Sequence, residues 1–131
     1  MRAAGLKSIA TVLSSTAVLI KSKHPSNDSL VNLIASRIRG VITAQRYVLC
    51  TYNVRRATLA EAVKITPGKR APTISALDSS IVDGESDGEW VAVSVMVPRE
   101  EIAKVMDRLS EKSVGAEDIL VMKIDNSRTG A

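Results

Sequence analysis

Phenylalanine is absent from these 131 residues, tryptophan occurs once and tyrosine twice. Any core must therefore be built from Val, Ile, Leu, Ala and Met. The apolar fraction of 45% is enough for one ordinary domain, or for a small domain carrying an extra piece. Cysteine and histidine are equally scarce, at one each. A lone Cys50 excludes an internal disulfide and agrees with a reducing compartment, so a cytoplasmic protein is expected. With no pair of His or Cys residues there is no metal-ligand spacing. Cys50 and His24 lack a positioned third group that would make them a nucleophilic pair. No apolar run approaches the ~20 residues of a membrane span, and MRAAGLKSIATVL lacks the apolar core and cleavage site of a secretory signal. Neither glycine-rich nucleotide-binding fingerprint is present. The acids of DGESDGE lack the alternating ligand set of a calcium loop.

What is there is charge, unevenly placed. Residues 1–72 hold 12 Lys/Arg against Asp28 and Glu61, whereas residues 73–131 hold 6 Lys/Arg against 12 acids. The basic half suits an anionic ligand, a nucleic acid or an acidic neighbouring surface, and equally a solvated face.

The pattern of apolar residues predicts the elements. Residues 8–13 and 16–21, rich in Val, Ile, Leu, Ser and Thr, read as strands. KSKHPSND follows as a polar loop whose Asn27 or Asp28 caps a helix. Leu30, Leu33, Ile34, Ile38, Val41 and Ile42 recur at helical spacing up to about Arg46. YVLCTYNV (47–54) reads as a strand. Thr58 and Glu61 read as a capping box opening a short helix, which Pro67-Gly68 stops. PTISALD is a second strand and residues 79–88 an acidic hairpin loop. WVAVSVMV (90–97) alternates, with Val91, Val93, Val95 and Val97 on one face and Trp90, Ala92, Ser94 and Met96 on the other. A helix over about 99–113 and a strand over 118–125 complete the chain. From residue 47 the order is β-α-β-β-α-β, an α+β ferredoxin-like unit with both helices on one face of the sheet. The two strands and helix before it are too little for a domain and read as the end of another one.

A one-sided sheet leaves a face for solvent, a ligand or another subunit. Sheets of this order can stack bases on exposed aromatics, but Tyr47 and Tyr52 fall on opposite faces of their strand. A nucleic acid is therefore not expected, nor is a membrane partner. The small residues beside Trp90 suit the docking of another copy, and hydroxyl and amide groups at strand ends can orient a small polar molecule.

GVITAQRYV, ITPGKRAPTISALD, EWVAVSVMV and MDRLSEKSVGAEDILVMKI, in this order and spacing, resemble the C-terminal part of the long-form ATP phosphoribosyltransferases, with wording closest to fungal members. The resemblance covers the whole chain apart from the acidic stretch at 79–88. It implies a magnesium-dependent glycosyltransferase joining ATP to phosphoribosyl pyrophosphate, the first step of histidine biosynthesis. In that family a phosphate-gripping loop immediately precedes the counterpart of MRAAGL. Met1 would thus match an internal position, no catalytic residue lies in this chain, and no cofactor is expected on it. The resemblance makes residues 1–46 a remnant of the second catalytic α/β lobe. It makes residues 47–131 the regulatory domain that binds L-histidine for feedback inhibition, in subunits that form dimers and hexamers. It places Asn53, Thr73, Met96 and Asp118 at the histidine pocket and assigns no role to Lys69 or Arg70. Asn53 stands where other members can carry a carboxylate, and Asp118 where small residues also occur. A free-standing ferredoxin-like module that binds a small molecule or RNA is the alternative reading.

Overall fold

The structure is a computed structural model that describes residues 5–78 and 90–128; the predicted 79–88 hairpin loop lies outside them. Helix α1 spans Asp28–Arg46, and the side chain of Asn27 caps it by accepting the Leu30 N–H at 2.9 Å. Without a break the chain passes into strand β1 (Tyr47–Arg55), then through a 3-10 turn (Arg56–Thr58) into helix α2 (Leu59–Ile65). Strand β2 (Thr73–Ala76), strand β3 (Trp90–Pro98), helix α3 (Ile102–Leu109) and strand β4 (Glu117–Lys123) follow.

The four strands form one antiparallel sheet in the order β2-β3-β1-β4. Strict alternation along the two central strands decides which face is covered. Val48, Cys50, Tyr52 and Val54 of β1 and Val91, Val93, Val95 and Val97 of β3 are all buried. Ala62 of α2, Val105 and Leu109 of α3, and Val114 close the same cluster. Four β-branched valines in succession on β3 suit a pleated, packed surface, and they take the place that aromatic residues fill in many cores. Each fully buried aliphatic side chain contributes about 1.5–3 kcal/mol.

Sequence and structure part company at three places. Residues 5–27 contain no helix or strand, so the strands expected at 8–13 and 16–21 do not form. A strand exists only through pairing of its N–H and C=O rows, and among the described residues this segment pairs with none: Ile9 and Val12 stand almost wholly in solvent. The second departure is the capping box. Thr58 is the N-cap of α2 but makes no side-chain cap bond. Its hydroxyl instead donates to the Val114 carbonyl at 2.8 Å, while Glu61 pairs with Lys64 at 2.7 Å. The carbonyl beyond α3 would otherwise be unsatisfied in a half-buried place, which is costlier than an unmade cap at an exposed helix start. Third, α3 is shorter than the predicted 99–113. After Ser110 the chain turns through Gly115 (φ +65°), whose N–H bonds to Glu111 O, and Ala116 N–H reaches back to Leu109 O. The helix itself closes at Ser110 in a right-handed conformation, and the left-handed glycine ends the turn that follows it, ahead of β4.

Candidate functional site

The site is built on the sheet face away from the helices. Register places Thr73, Ser94, Thr51 and Leu120 in one row across the four strands. The adjacent row runs Ser75, Ala92, Asn53 and Glu117. On the far side of the first row, Met96 faces Leu49, which faces Met122. The middle of the open face is therefore a trough of small polar side chains, walled by Trp90 at one end and by Met96, Leu49 and Met122 at the other. A few oriented polar groups against apolar walls is the usual make-up of a small-ligand site.

Three features of the chain set this geometry. Gly68 adopts φ +69° with the Val95 Cγ2 methyl only 2.8 Å from where a Cβ would stand, so the turn after α2 lies directly on β3. Pro72 favours an extended preceding residue, and Thr73 begins β2 directly opposite Ser94. At the other edge, β1 and β4 slip register between Thr51 and Asn53. One extra residue on β4 is accommodated there by Asp118, which takes the left-handed conformation at φ +50°. This is a β-bulge, and its effect is to bring the Asp118 carboxylate to the Asn53 amide, whose Nδ2 donates to Oδ2 at 3.0 Å.

All four residues implied by the resemblance thus lie at the open face, in two groups. Thr73 and Met96 share a hollow of about 340 Å³ with Leu49, Lys69, Arg70, Ser94 and the tail residues Ser127 and Arg128. Asn53 and Asp118 pair with each other at the opposite corner of the trough and do not line that hollow. On strand spacings of about 4.8 Å and a rise of about 3.4 Å per residue, Asn53 and Thr73 stand about 12 Å apart on one face. Lys69 and Arg70 received no role in the sequence, yet both line the hollow, and Lys69 Nζ also sits 5.8 Å above the Tyr47 ring. Ser94 was legible from the alternation of β3, as the central member of Thr73's row. Ser127 and Arg128 carried no sequence signal, because they arrive only through the path of the tail. That path is fixed on α1, where Ser127 N–H donates to Gly40 O at 3.0 Å and Asn126 packs on the bare Gly40 Cα.

Other hollows hold less chemistry. A groove of about 1040 Å³ between residues 19–27 and α1 is lined by Leu19, Ile20, Leu30, Ile34, Ile38 and Ile42. Its polar rim is already engaged, with Lys21 and Asn32 both on Asp28 and Asn27 on the helix start. His24 stands there as the sole imidazole. Cys50 is buried among valines on the helix side, and burial pushes its thiol up from the ordinary 9.0. A thiol in that setting is a packing group, not a nucleophile. Tyr52 shares the buried face, whereas Tyr47 lies half-buried on the open one.

Comparison with known proteins agrees with this architecture. Residues 44–126 match the family model described as HisG, C-terminal domain. Among curated proteins, the ATP phosphoribosyltransferase of Yarrowia lipolytica is 53% identical over 128 residues, covering 98% of this chain and 40% of its own length. Those of Schizosaccharomyces pombe and Saccharomyces cerevisiae are each 53% identical over 130 and 129 residues, with 39% and 40% of their lengths covered. The chain spans about 40% of the length of the curated relatives it matches. With the matched stretch running from the last turn of α1 through β4, this chain belongs to the HisG C-terminal domain family.

Proposed function

We propose that this chain is the regulatory part of an ATP phosphoribosyltransferase and that it binds L-histidine in the trough of the open sheet face. The whole enzyme would join ATP to phosphoribosyl pyrophosphate in the cytoplasm, and histidine bound here would inhibit it as the end product. The carrying observation is the trough itself, with Thr73, Ser94, Thr51 and Asn53 on adjacent rows of one half-covered face. Residues 47–131 are the histidine-sensing domain in this reading, and residues 1–46 belong with the preceding catalytic lobe. Every member of the buried cluster falls between Val48 and Val114, which supports that division.

Each of the four residues then has a task. Thr73 offers a hydroxyl at the first position of β2, where it can both donate and accept. Met96 supplies a polarizable apolar wall for an imidazole ring. The Asn53–Asp118 pair presents a carboxylate to an ammonium or ring N–H, with Asn53 holding the carboxylate in place. Magnesium belongs to the whole enzyme in this account. Among the described residues no group of three or more His, Cys, Asp or Glu side chains is placed to hold a metal ion, so no step here runs through one. Copies of the domain associate through the same open face, burying Trp90 and Met96, which couples ligand binding to assembly.

Calorimetric titration of L-histidine into the chain tests this reading, with Thr73→Ala as control. Saturable 1:1 binding that weakens about tenfold in the variant is expected, since a lost hydrogen bond to a charged group costs about 1.5–3 kcal/mol. A folded chain that takes up no histidine overturns it.

A further inference from the structure

The hollow at Thr73 is cationic. Lys69 and Arg70 approach it from the turn before β2 and Arg128 from the tail, while Thr73, Ser94 and Ser127 add hydroxyls and, among the described residues, no acidic side chain lines it. At the opposite corner of the trough the sign reverses, with Glu117 beside Asn53 in register and Asp118 bonded to it. The face is thus polarised, cationic at the Thr73 corner and acidic at the Asn53 corner. Long Arg and Lys side chains at one corner and a carboxylate at the other suit a free amino acid, which carries a carboxylate and an ammonium on one carbon.

Resting on the histidine reading above, we propose that Arg70 and Arg128, with Lys69 beside them, are the carboxylate-recognition end of the site and make it selective for an α-amino acid with a free carboxylate. Arg70 makes no hydrogen bond or ion pair among the described residues. Arg128 uses its Nε on Asn126 Oδ1 at 3.3 Å, which aims the side chain without engaging its terminal amino groups. A guanidinium presents a planar fork that matches a carboxylate. Lys69, over the Tyr47 ring, adds charge rather than geometry. The converging groups come from two distant parts of the chain, so the carboxylate end exists only when the tail is docked on α1.

The test compares L-histidine with L-histidinol, which keeps the ammonium and imidazole but carries CH2OH in place of the carboxylate. Both are titrated into the full chain and into the Arg70→Gln and Arg128→Gln variants, each exposed enough to leave the fold intact. L-Histidinol should bind at least about tenfold more weakly, and each variant should weaken L-histidine by about that factor but L-histidinol by less than about twofold. Equal affinity for the two ligands, or variants that weaken both alike, overturns the carboxylate assignment and leaves the histidine site standing. No uptake of L-histidine by the folded wild-type chain overturns both.

Discussion

At the scale of single residues, the polar contact between Tyr52 and Thr66 is the one to test. The two hydroxyls lie 2.7 Å apart in the buried layer, and Thr66 Oγ1 donates to Ala62 O at 3.1 Å. With its proton so committed, Thr66 must accept from Tyr52. The two deletions are therefore unequal. Tyr52→Phe removes a donor and leaves Thr66 satisfied, at a cost of about 1 kcal/mol. Thr66→Val leaves a buried phenol without an acceptor, at a cost of about 1–3 kcal/mol. Urea denaturation of the two variants gives the order. Cys50 and Tyr52 also set an alkaline limit. Burial raises both acidities from ordinary values of 9.0 and 10.0; for Tyr52 the Thr66 bond opposes the shift and a thiolate at Cys50 adds to it. The folded state holds these protons longer than the unfolded chain does. The associated stability is fully present below the unfolded values and is lost as pH rises through the folded ones. Denaturation midpoints should hold level from neutral pH to about 8.5 and fall above it, less steeply in Cys50→Ala.

At the scale of elements, the turns that shape the site carry specific conformations. Gly68→Ala should destabilise by more than the ~1–2 kcal/mol of a left-handed non-glycine residue, because its Cβ would stand 2.8 Å from a methyl of buried Val95. At the β4 bulge, Asp118→Gly and Asp118→Ala both lose the bond to Asn53, but only alanine pays the left-handed strain. Alanine should be the less stable of the two by about 1 kcal/mol in thermal unfolding. These elements show how far the sequence was legible. The alternation of β1 and β3 expresses burial directly, so both strands and their inward side chains follow from the letters; the helical spacing of α1 gives its limits, although its apolar stripe is exposed in the structure. Met96 could be placed on the outward face of β3 for the same reason, whereas Thr73 came only from the resemblance, since β2 has no inward side to alternate against. The bulge could not, since register slips by one residue without changing composition, and it is the bulge that sets Asp118 beside Asn53. Nor could the Thr58 bond to Val114 O, because its partner lies 56 residues away.

At the scale of the whole molecule, the apolar content divides into two populations. The buried cluster draws on residues 48–114. Outside it, Leu6, Ile9, Val12, Leu13, Val18, Leu19 and Ile20 are exposed, as are Leu30, Leu33, Ile34, Ile38, Val41 and Ile42 along α1. So many exposed apolar side chains exceed those scattered over an ordinary monomer, and they lie outside the buried cluster; self-association through them is the expected consequence. Chain 26–131, lacking only residues 1–25, separates the two effects and keeps the Asn27 cap of α1. It keeps α1, on which the tail docks through Gly40 and Ser127, and it keeps every core residue. Its thermal midpoint should stay within about 2 °C of the full chain, as expected where removed residues contribute no more than about 0.5 kcal/mol. Its self-association, read by sedimentation velocity across a concentration series, should fall. A midpoint lowered by many degrees would mean instead that residues 1–25 are part of the same cooperative unit as the sheet, against their assignment to a separate lobe.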